Sequence, residues 1–243
     1  MTQAVTPDRR RFLQATLALG AAALPARAFL AAAEPEKTKV PAEKDQEDVS
    51  PAEDLMREHG VLKRVLLVYD EALRRLDSSG EGTDLPPETI ADSAGIIRTF
   101  IEDYHEKLEE NFLFPRFRKA HTLVDLVDVL TAQHQAGRRV TDTTIRLANA
   151  KSIRDARERK QLGDSLRAFV RMYAPHEARE DTVLFPALRR IVSAHEYDAL
   201  GDQFEDEEHR RFGEDGFEKY VDKIAGIEKK LGIYDLTQFT PKA

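Results

Sequence analysis

The chain has 243 residues, of which 41% are hydrophobic and 33% charged, and its formal net charge at pH 7 is -7. This composition supplies enough apolar side chains for a buried core and argues against disorder over most of the length. The acidic balance argues against a nucleic-acid partner. Cysteine is absent, which excludes disulfides, thiolate catalysis, iron–sulfur clusters and cysteine-ligated zinc. Any metal site must therefore use nitrogen and oxygen ligands from His, Asp or Glu.

Residues 1–33 have the pattern of a removable targeting segment. Arg9-Arg10-Arg11 precedes an uncharged run over 15–24, and Ala26-Arg27-Ala28 is a small-x-small cleavage pattern. This resembles a twin-arginine signal peptide, which implies export of a folded protein by the twin-arginine (Tat) machinery to the periplasm. The uncharged run is about half of the ~20 residues that a membrane span needs. We therefore expect a signal peptide, cleaved before Phe29 or Glu34, and no stable membrane span in the mature form.

The remaining chain is predicted to be helical. Residues 34–50 are rich in Glu, Lys, Pro and Asp, which predicts a flexible linker. Beyond it, apolar residues recur at helical spacing, and no stretch has the strict alternation of a half-buried strand. Helix-start signals and breaks predict long helices over about 51–77, 86–120, 123–148 and 154–192, the last interrupted at Pro175 and Pro186, then shorter ones over 195–212 and up to Leu231.

These elements predict an all-α fold. Four long helices joined by short connections favour an up-down-up-down four-helix bundle, which we assign to residues 51–192. Residues 193–243 are predicted to form a helical extension that packs on the bundle.

An internal repeat indicates a metal site. Residues 105–115 and 176–186 both read H-E-x-x-E-x-x-x-L-F-P. A His and a Glu four residues apart lie one turn apart on the same face of a helix, so both can reach one metal cluster. The Glu next to each His points about 100° away and is a weaker candidate, either for a supporting or for an additional ligand role. The resulting candidates are His105, Glu109, His176 and Glu180 as ligands, and Glu106 and Glu177 beside them.

The other two long helices carry matching histidines. His59 and His134 are each followed by Arg-Val at the same offsets of five and six residues. His59 precedes His105 by 46 residues and His134 precedes His176 by 42, which places each pair at similar depth on neighbouring antiparallel helices. A single His on a helix is more often a core or surface residue than a ligand, but a repeated set is hard to explain by packing alone.

These residues suit a pair of metal ions. Two irons take about six nitrogen and oxygen ligands each; four imidazoles, two bridging carboxylates and a shared oxo or hydroxo group fill about ten of those positions and leave about two for a small ligand. We therefore predict a non-haem di-iron centre. A His and carboxylate site does not choose its metal by sequence, so zinc and manganese stay open. The predicted ligands are His59, His105, Glu109, His134, His176 and Glu180.

With these motifs, residues 50–192 resemble the hemerythrin-like (HHE cation-binding) family, and most closely its four-His, two-Glu members. Those members include iron–sulfur-repair and nitric-oxide-responsive di-iron proteins. Oxygen-carrying hemerythrins place a second His four residues after the third-helix His, whereas this chain has Arg138 there. The resemblance therefore implies a cation-binding bundle, and the difference argues against simple reversible oxygen transport.

The leading functional hypothesis is an exported di-iron protein that binds oxygen or nitric oxide in sensing, scavenging or stress response. The alternatives are an oxidoreductase acting on peroxide or nitric oxide, whose electron donor the sequence does not reveal, and an iron storage or delivery protein. Several residues near the motifs carry weaker expectations. Tyr104 and Tyr173 are candidates for contact with the site, the Leu-Phe-Pro ends of the repeats for a structural role, His121 and His195 for the surface, and Glu205 with His209 for an auxiliary metal contact.

Overall fold

The computed structural model of the chain describes residues 49–78, 84–213 and 216–241. The predicted signal peptide and nearly all of the predicted linker lie outside the described residues. The regular secondary structure of the described part is all helical, with no strand, which confirms the all-α prediction. None of its helices is long and apolar enough to cross a membrane.

Seven helices are present in the described residues, and their ends lie close to the predicted ones. The helices are α1 (Pro51–Ser78), α2 (87–119), α3 (Val124–Leu147), α4 (Ala150–Arg154), α5 (156–191), α6 (Ala194–Phe212) and α7 (Gly216–Leu231), followed by one 3₁₀ turn (Leu236–Phe239). The short helix α4 lies between the third and fourth long helices, where the sequence predicted only a short connection. It forms because the Asn149 side chain accepts a hydrogen bond from the Ser152 backbone N–H and so caps the first turn.

Helices α2 and α5, which carry the two repeats, widen into π-helix at the repeats. Along α2 the α-helical and π-helical segments are Pro87–Ile96 (α), Ile97–His105 (π), Glu106–Leu108 (α), Glu109–Leu113 (π) and Phe114–Lys119 (α). Along α5 they are Ala156–Arg179 (α), Glu180–Leu184 (π) and Phe185–Ile191 (α). One π turn in each helix therefore starts at the Glu of the repeat. Such turns are rare and frequently occur at functional sites.

The prolines at the end of each repeat account for these two π turns. A proline has no N–H, and its ring clashes with the carbonyl four residues earlier in a regular α-helix. The wider turn lets the Phe114 N–H bond to the Glu109 carbonyl and the Phe185 N–H to the Glu180 carbonyl. The predicted interruptions of the fourth long helix were wrong, because α5 continues through Pro175 and only widens ahead of Pro186.

The four long helices α1, α2, α3 and α5 run antiparallel to their neighbours. Between α1 and α5, for example, Asp77 contacts Arg167 near one end and His59 contacts Asp181 near the other. The same reversal relates α1 to α2, α2 to α3 and α3 to α5. The bundle is thus closed, with α1 and α5 in contact.

The last two helices pack on α1 and α2. Arg64 of α1 forms a bidentate ion pair with Glu228 of α7, with N–O distances of 2.9 and 2.5 Å. Phe100 of α2 is fully buried and stacks on Tyr220 of α7 at 4.4 Å between ring centroids. Phe212, at the end of α6, contacts both of these rings. An aromatic cluster therefore attaches the C-terminal helices to one side of the bundle.

Candidate metal centre

The structure brings the six predicted ligand residues together in the core of the bundle. All six are buried, and each of the four long helices contributes at least one. The Nε2 atoms of His59 and His105 lie 3.0 Å apart, and those of His134 and His176 lie 3.2 Å apart. Among the described residues, four groups have ligand atoms that all lie within 4.8 Å of one another, and two of them consist of the predicted ligands: cluster A (His59, His105, Glu109) and cluster B (His134, His176, Glu180).

The two glutamates connect the clusters. Glu109 places Oε1 3.8 Å from His105 Nε2 and Oε2 3.4 Å from His134 Nε2. Glu180 places Oε2 3.5 Å from His59 Nε2 and 3.1 Å from His176 Nε2. Each carboxylate thus reaches one imidazole of each cluster. A carboxylate placed in this way could be shared between two metal ions.

The buried carboxylate oxygens of the site favour the binding of a cation. Glu109 and Glu180 are each 0% exposed, and none of their four carboxylate oxygens makes a hydrogen bond. Buried carboxylates without hydrogen bonds are costly, and proteins normally pair them or use them to coordinate a metal. Four imidazole nitrogens facing the same space add only donors that suit iron, zinc or manganese. The residues present therefore fit a pair of metal ions.

Three of the predicted ligand side chains have raised pKa values in the metal-free site. Burial alone lowers the pKa of His59, but the hydrogen bond to Asp181 and the negative charges of Glu180 and Glu109 outweigh it and raise the pKa to about 10. His134 has its pKa raised to about 10 against the same effect of burial, by Glu106, Glu109 and Glu110. Burial and the charge of Glu180 raise the pKa of Glu109. The metal-free site therefore holds protons that a metal ion must displace.

Metal binding is accordingly expected to release protons. At pH 7 we expect at least about two protons to leave per filled centre, from His59 and His134, because imidazoles must be neutral to bind metal. Since their pKa values are raised, the apparent metal affinity should increase as the pH rises towards about 10. Calorimetric titration in two buffers of different ionisation enthalpy measures this release. Release of less than one proton, with an affinity independent of pH, would contradict it.

Each of the four imidazoles of clusters A and B is oriented by a hydrogen bond to an acceptor behind it. Because each Nε2 faces the cluster, each Nδ1 carries the hydrogen and donates it outward. The acceptors are Asp181 for His59 (2.7 Å), Glu58 for His105 (2.8 Å), Glu110 for His134 (3.1 Å) and Gln133 for His176 (2.8 Å).

These four acceptors were not identified from the sequence, although the sequence contains a signal for them. Glu58 and Gln133 directly precede the two histidines of α1 and α3, and Glu110 and Asp181 directly follow the two glutamates of the repeats. The positions are therefore equivalent in the two halves of the chain. What the sequence does not show is which imidazole each side chain meets, because each acceptor serves a His on a neighbouring helix.

Arg138 supports an acceptor of this kind. Its guanidinium donates to Glu110 at 2.7 Å and to Glu106 at 2.6 Å. Lys63, at the equivalent position four residues after His59, donates to Asp181 at 3.1 Å. In the sequence, Arg138 stood out only as the replacement of a fifth His. In the structure it is one of two equivalent cations that hold the acidic acceptors in place.

Phenylalanine rings cover the site at the level of the repeats. Phe114 stacks on the His134 ring and Phe185 on the His59 ring, each at 5.5 Å between centroids. Both phenylalanines are about 1% exposed. These rings fix the orientation of the imidazoles and exclude water, which supports the structural role expected for the Leu-Phe-Pro ends.

The two tyrosines also contact the surroundings of the site. Tyr104 donates to Glu58 at 3.0 Å and Tyr173 donates to Glu106 at 2.6 Å. The Tyr173 hydroxyl lies in a space left by Gly137, where a Cβ atom would be 2.1 Å from it. Glu106 is thus a supporting residue, already paired with Tyr173 and Arg138.

The remaining expectations have mixed outcomes. Glu177 is buried, and burial raises its pKa to about 7. His121 and His195 are exposed, as expected. Among the described residues, Glu205 and His209 belong to no group of close metal-ligand atoms, and His209 is exposed; Glu208 instead lies near Asp54 and Glu58.

Comparison with known protein families matches residues 50–158, and again residues 125–237, to the hemerythrin HHE cation-binding domain. The chain belongs to this hemerythrin family. The two matches overlap over residues 125–158, which include nearly all of α3, in accordance with the repeated order of His and His-Glu helices. The uncharacterized proteins Rv1995 of Mycobacterium tuberculosis and Mb2018 of Mycobacterium bovis are each 52% identical over 209 residues, covering 86% of this hemerythrin-family chain and 81% of the relative. No solved structure matches the chain.

Proposed function

We propose that this hemerythrin-family protein holds two iron ions and binds a small diatomic ligand, oxygen or nitric oxide, in sensing, scavenging or stress response. The four imidazoles would be terminal ligands, and Glu109 and Glu180 would bridge the two ions. The observation that carries the proposal is the set of four buried carboxylate oxygens without hydrogen bonds, enclosed by four imidazole nitrogens.

Iron, when bound, would supply a redox-active centre with coordination positions left for a small ligand. The protein side chains bind and orient it. Asp181, Glu58, Glu110 and Gln133 fix the imidazole rings, and Phe114 and Phe185 exclude water. A buried site of this kind suits a small, neutral ligand, because all six ligand side chains are shielded from solvent.

Arg138 supports sensing or scavenging over oxygen carriage. It occupies the position of a fifth His in oxygen-carrying hemerythrins and is paired with two carboxylates. Export by the twin-arginine route, proposed from residues 1–33, fits this role, because that route carries proteins that have already folded around a cofactor.

Metal analysis and absorption spectroscopy test the proposed function. Protein loaded anaerobically with Fe²⁺ should contain near two iron ions per chain, its ferric form should change its spectrum with azide, and its ferrous form should change with oxygen or nitric oxide. The matched control is His209→Ala, which removes an exposed His outside both clusters and should leave all of these properties unchanged. Iron far below two per chain, or a ferrous protein with no optical response, would rule the proposal out.

A further inference from the structure

The outer hydrogen bonds differ between clusters A and B. In cluster A both imidazoles donate to carboxylates, His59 to Asp181 at 2.7 Å and His105 to Glu58 at 2.8 Å. In cluster B, His134 donates to the carboxylate of Glu110 at 3.1 Å, whereas His176 donates to the amide oxygen of Gln133 at 2.8 Å. Gln133 is therefore the one neutral acceptor among these four. Its equivalent in the other half of the chain is Glu58.

The charges around the acceptors increase this difference. Glu110 in cluster B is shared with the guanidinium of Arg138 and the ammonium of Lys107. Glu58 in cluster A accepts a hydrogen bond from the Tyr104 hydroxyl at 3.0 Å. Asp181 is paired with Lys63, whose side chain is half exposed and therefore solvent-screened. Cluster A thus has two carboxylate acceptors behind its imidazoles, and cluster B has one, which is shared with two cations.

Negative acceptors strengthen an imidazole as a metal ligand. A carboxylate that accepts the Nδ1 hydrogen draws the proton outward and leaves more electron density on Nε2, whereas a neutral amide does so less. A ligand of greater electron density binds a cation more tightly and stabilises its higher oxidation state.

We propose that the two metal positions are inequivalent and that Gln133 sets the difference: cluster A takes the first iron ion and favours the ferric state, and cluster B takes the second and is reduced more readily. This inference rests on the proposed di-iron function. Gln133 is a positioning residue, because it acts through His176 and not on the metal itself.

Anaerobic calorimetric titration of the full chain with Fe²⁺ tests the inequivalence. The wild type should show two binding steps that differ about tenfold or more in affinity, since exchanges in the outer hydrogen bonds typically alter metal affinity by 10–100-fold. Gln133→Glu should tighten the second step about tenfold and bring the two steps together. Glu58→Gln should instead weaken the first step by a similar factor.

The control and the location of the first ion complete the test. Gln135→Glu adds the same charge two residues away on the exposed side of α3 and should leave both steps unchanged. One equivalent of Co²⁺ should shift the NMR signals of the His59 and His105 rings more than those of His134 and His176.

Each outcome separates the inference from the proposed function. Two steps of equal affinity in the wild type, or a Gln133→Glu effect confined to the first step, would overturn the inequivalence and leave the di-iron proposal intact. Failure of the wild type to bind two ions would overturn the proposed function as well. Both exchanges keep the shape of the side chain, and the wild-type titration is decisive even where one variant does not fold.

Discussion

Glu109→Gln is expected to abolish the metal pair while leaving the helical bundle folded. The substitution keeps the shape of the side chain but removes the charge that lies between His105 and His134. In the proposed centre both clusters share this carboxylate, so iron content should fall from the proposed two ions per chain to less than one. Metal analysis and far-ultraviolet circular dichroism after anaerobic loading measure the two effects. The matched control is Asp103→Asn, which neutralises an exposed carboxylate on the same helix.

The metal-free Glu109→Gln protein should be at least as stable as the metal-free wild type. Burial and the charge of Glu180 raise the pKa of Glu109, so ionised Glu109 destabilises the fold above that pKa, and the cost disappears as the pH falls and the group is protonated. The Glu109→Gln variant carries no such charge at any pH, so this cost is absent from it. The melting temperature should therefore rise by about 2 °C or more at alkaline pH. Retained iron, or iron lost together with the fold, would contradict the predicted loss of the metal pair. A lower melting temperature than that of the metal-free wild type would contradict the predicted stability.

Phe100→Ala is expected to give the largest loss of stability, about 3–5 kcal/mol. Phe100 is fully buried and its ring contacts those of Tyr104, Phe212, Phe217 and Tyr220. The substitution leaves a cavity where α6 and α7 meet α2, and the melting temperature should fall by about 6–20 °C. It should also loosen Tyr104, which holds Glu58 behind His105.

Phe239→Ala is the control for this experiment. Phe239 is 53% exposed, so its removal should change the free energy of unfolding by no more than about 0.5 kcal/mol. Denaturant unfolding of both metal-free variants gives the comparison. A Phe100→Ala cost below about 1 kcal/mol would show that the aromatic cluster does not attach the C-terminal helices as described.

The sequence was sufficient for the approximate ends of the long helices and for the six residues that meet at the centre. Both depend on spacing along one chain: apolar residues at helical intervals, and a His with a Glu one turn later in two copies. Features that depend on contacts between helices could not be predicted. The π turns of the repeats form because a proline distorts a helix that stays packed at both ends. From the sequence alone, the prolines of α5 predicted interruptions of the helix instead.

The outer hydrogen bonds show the same limit. The sequence places Glu58 beside His59, but the structure directs it to His105 on α2. The sequence shows Arg138 only as the residue at the position of a fifth His. Its partners Glu106 and Glu110 lie 32 and 28 residues away in the chain. Such pairings need the register of two helices, which no single-chain pattern gives.

Anomalous diffraction at the iron edge, from crystals of the iron-loaded protein, would locate the metal ions directly. We expect two peaks less than about 4 Å apart, one beside His59 and His105 and the other beside His134 and His176, with Glu109 and Glu180 reaching both. A single peak, or a peak at Asp54, Glu58 and Glu208 with none between the four imidazoles, would contradict the paired centre.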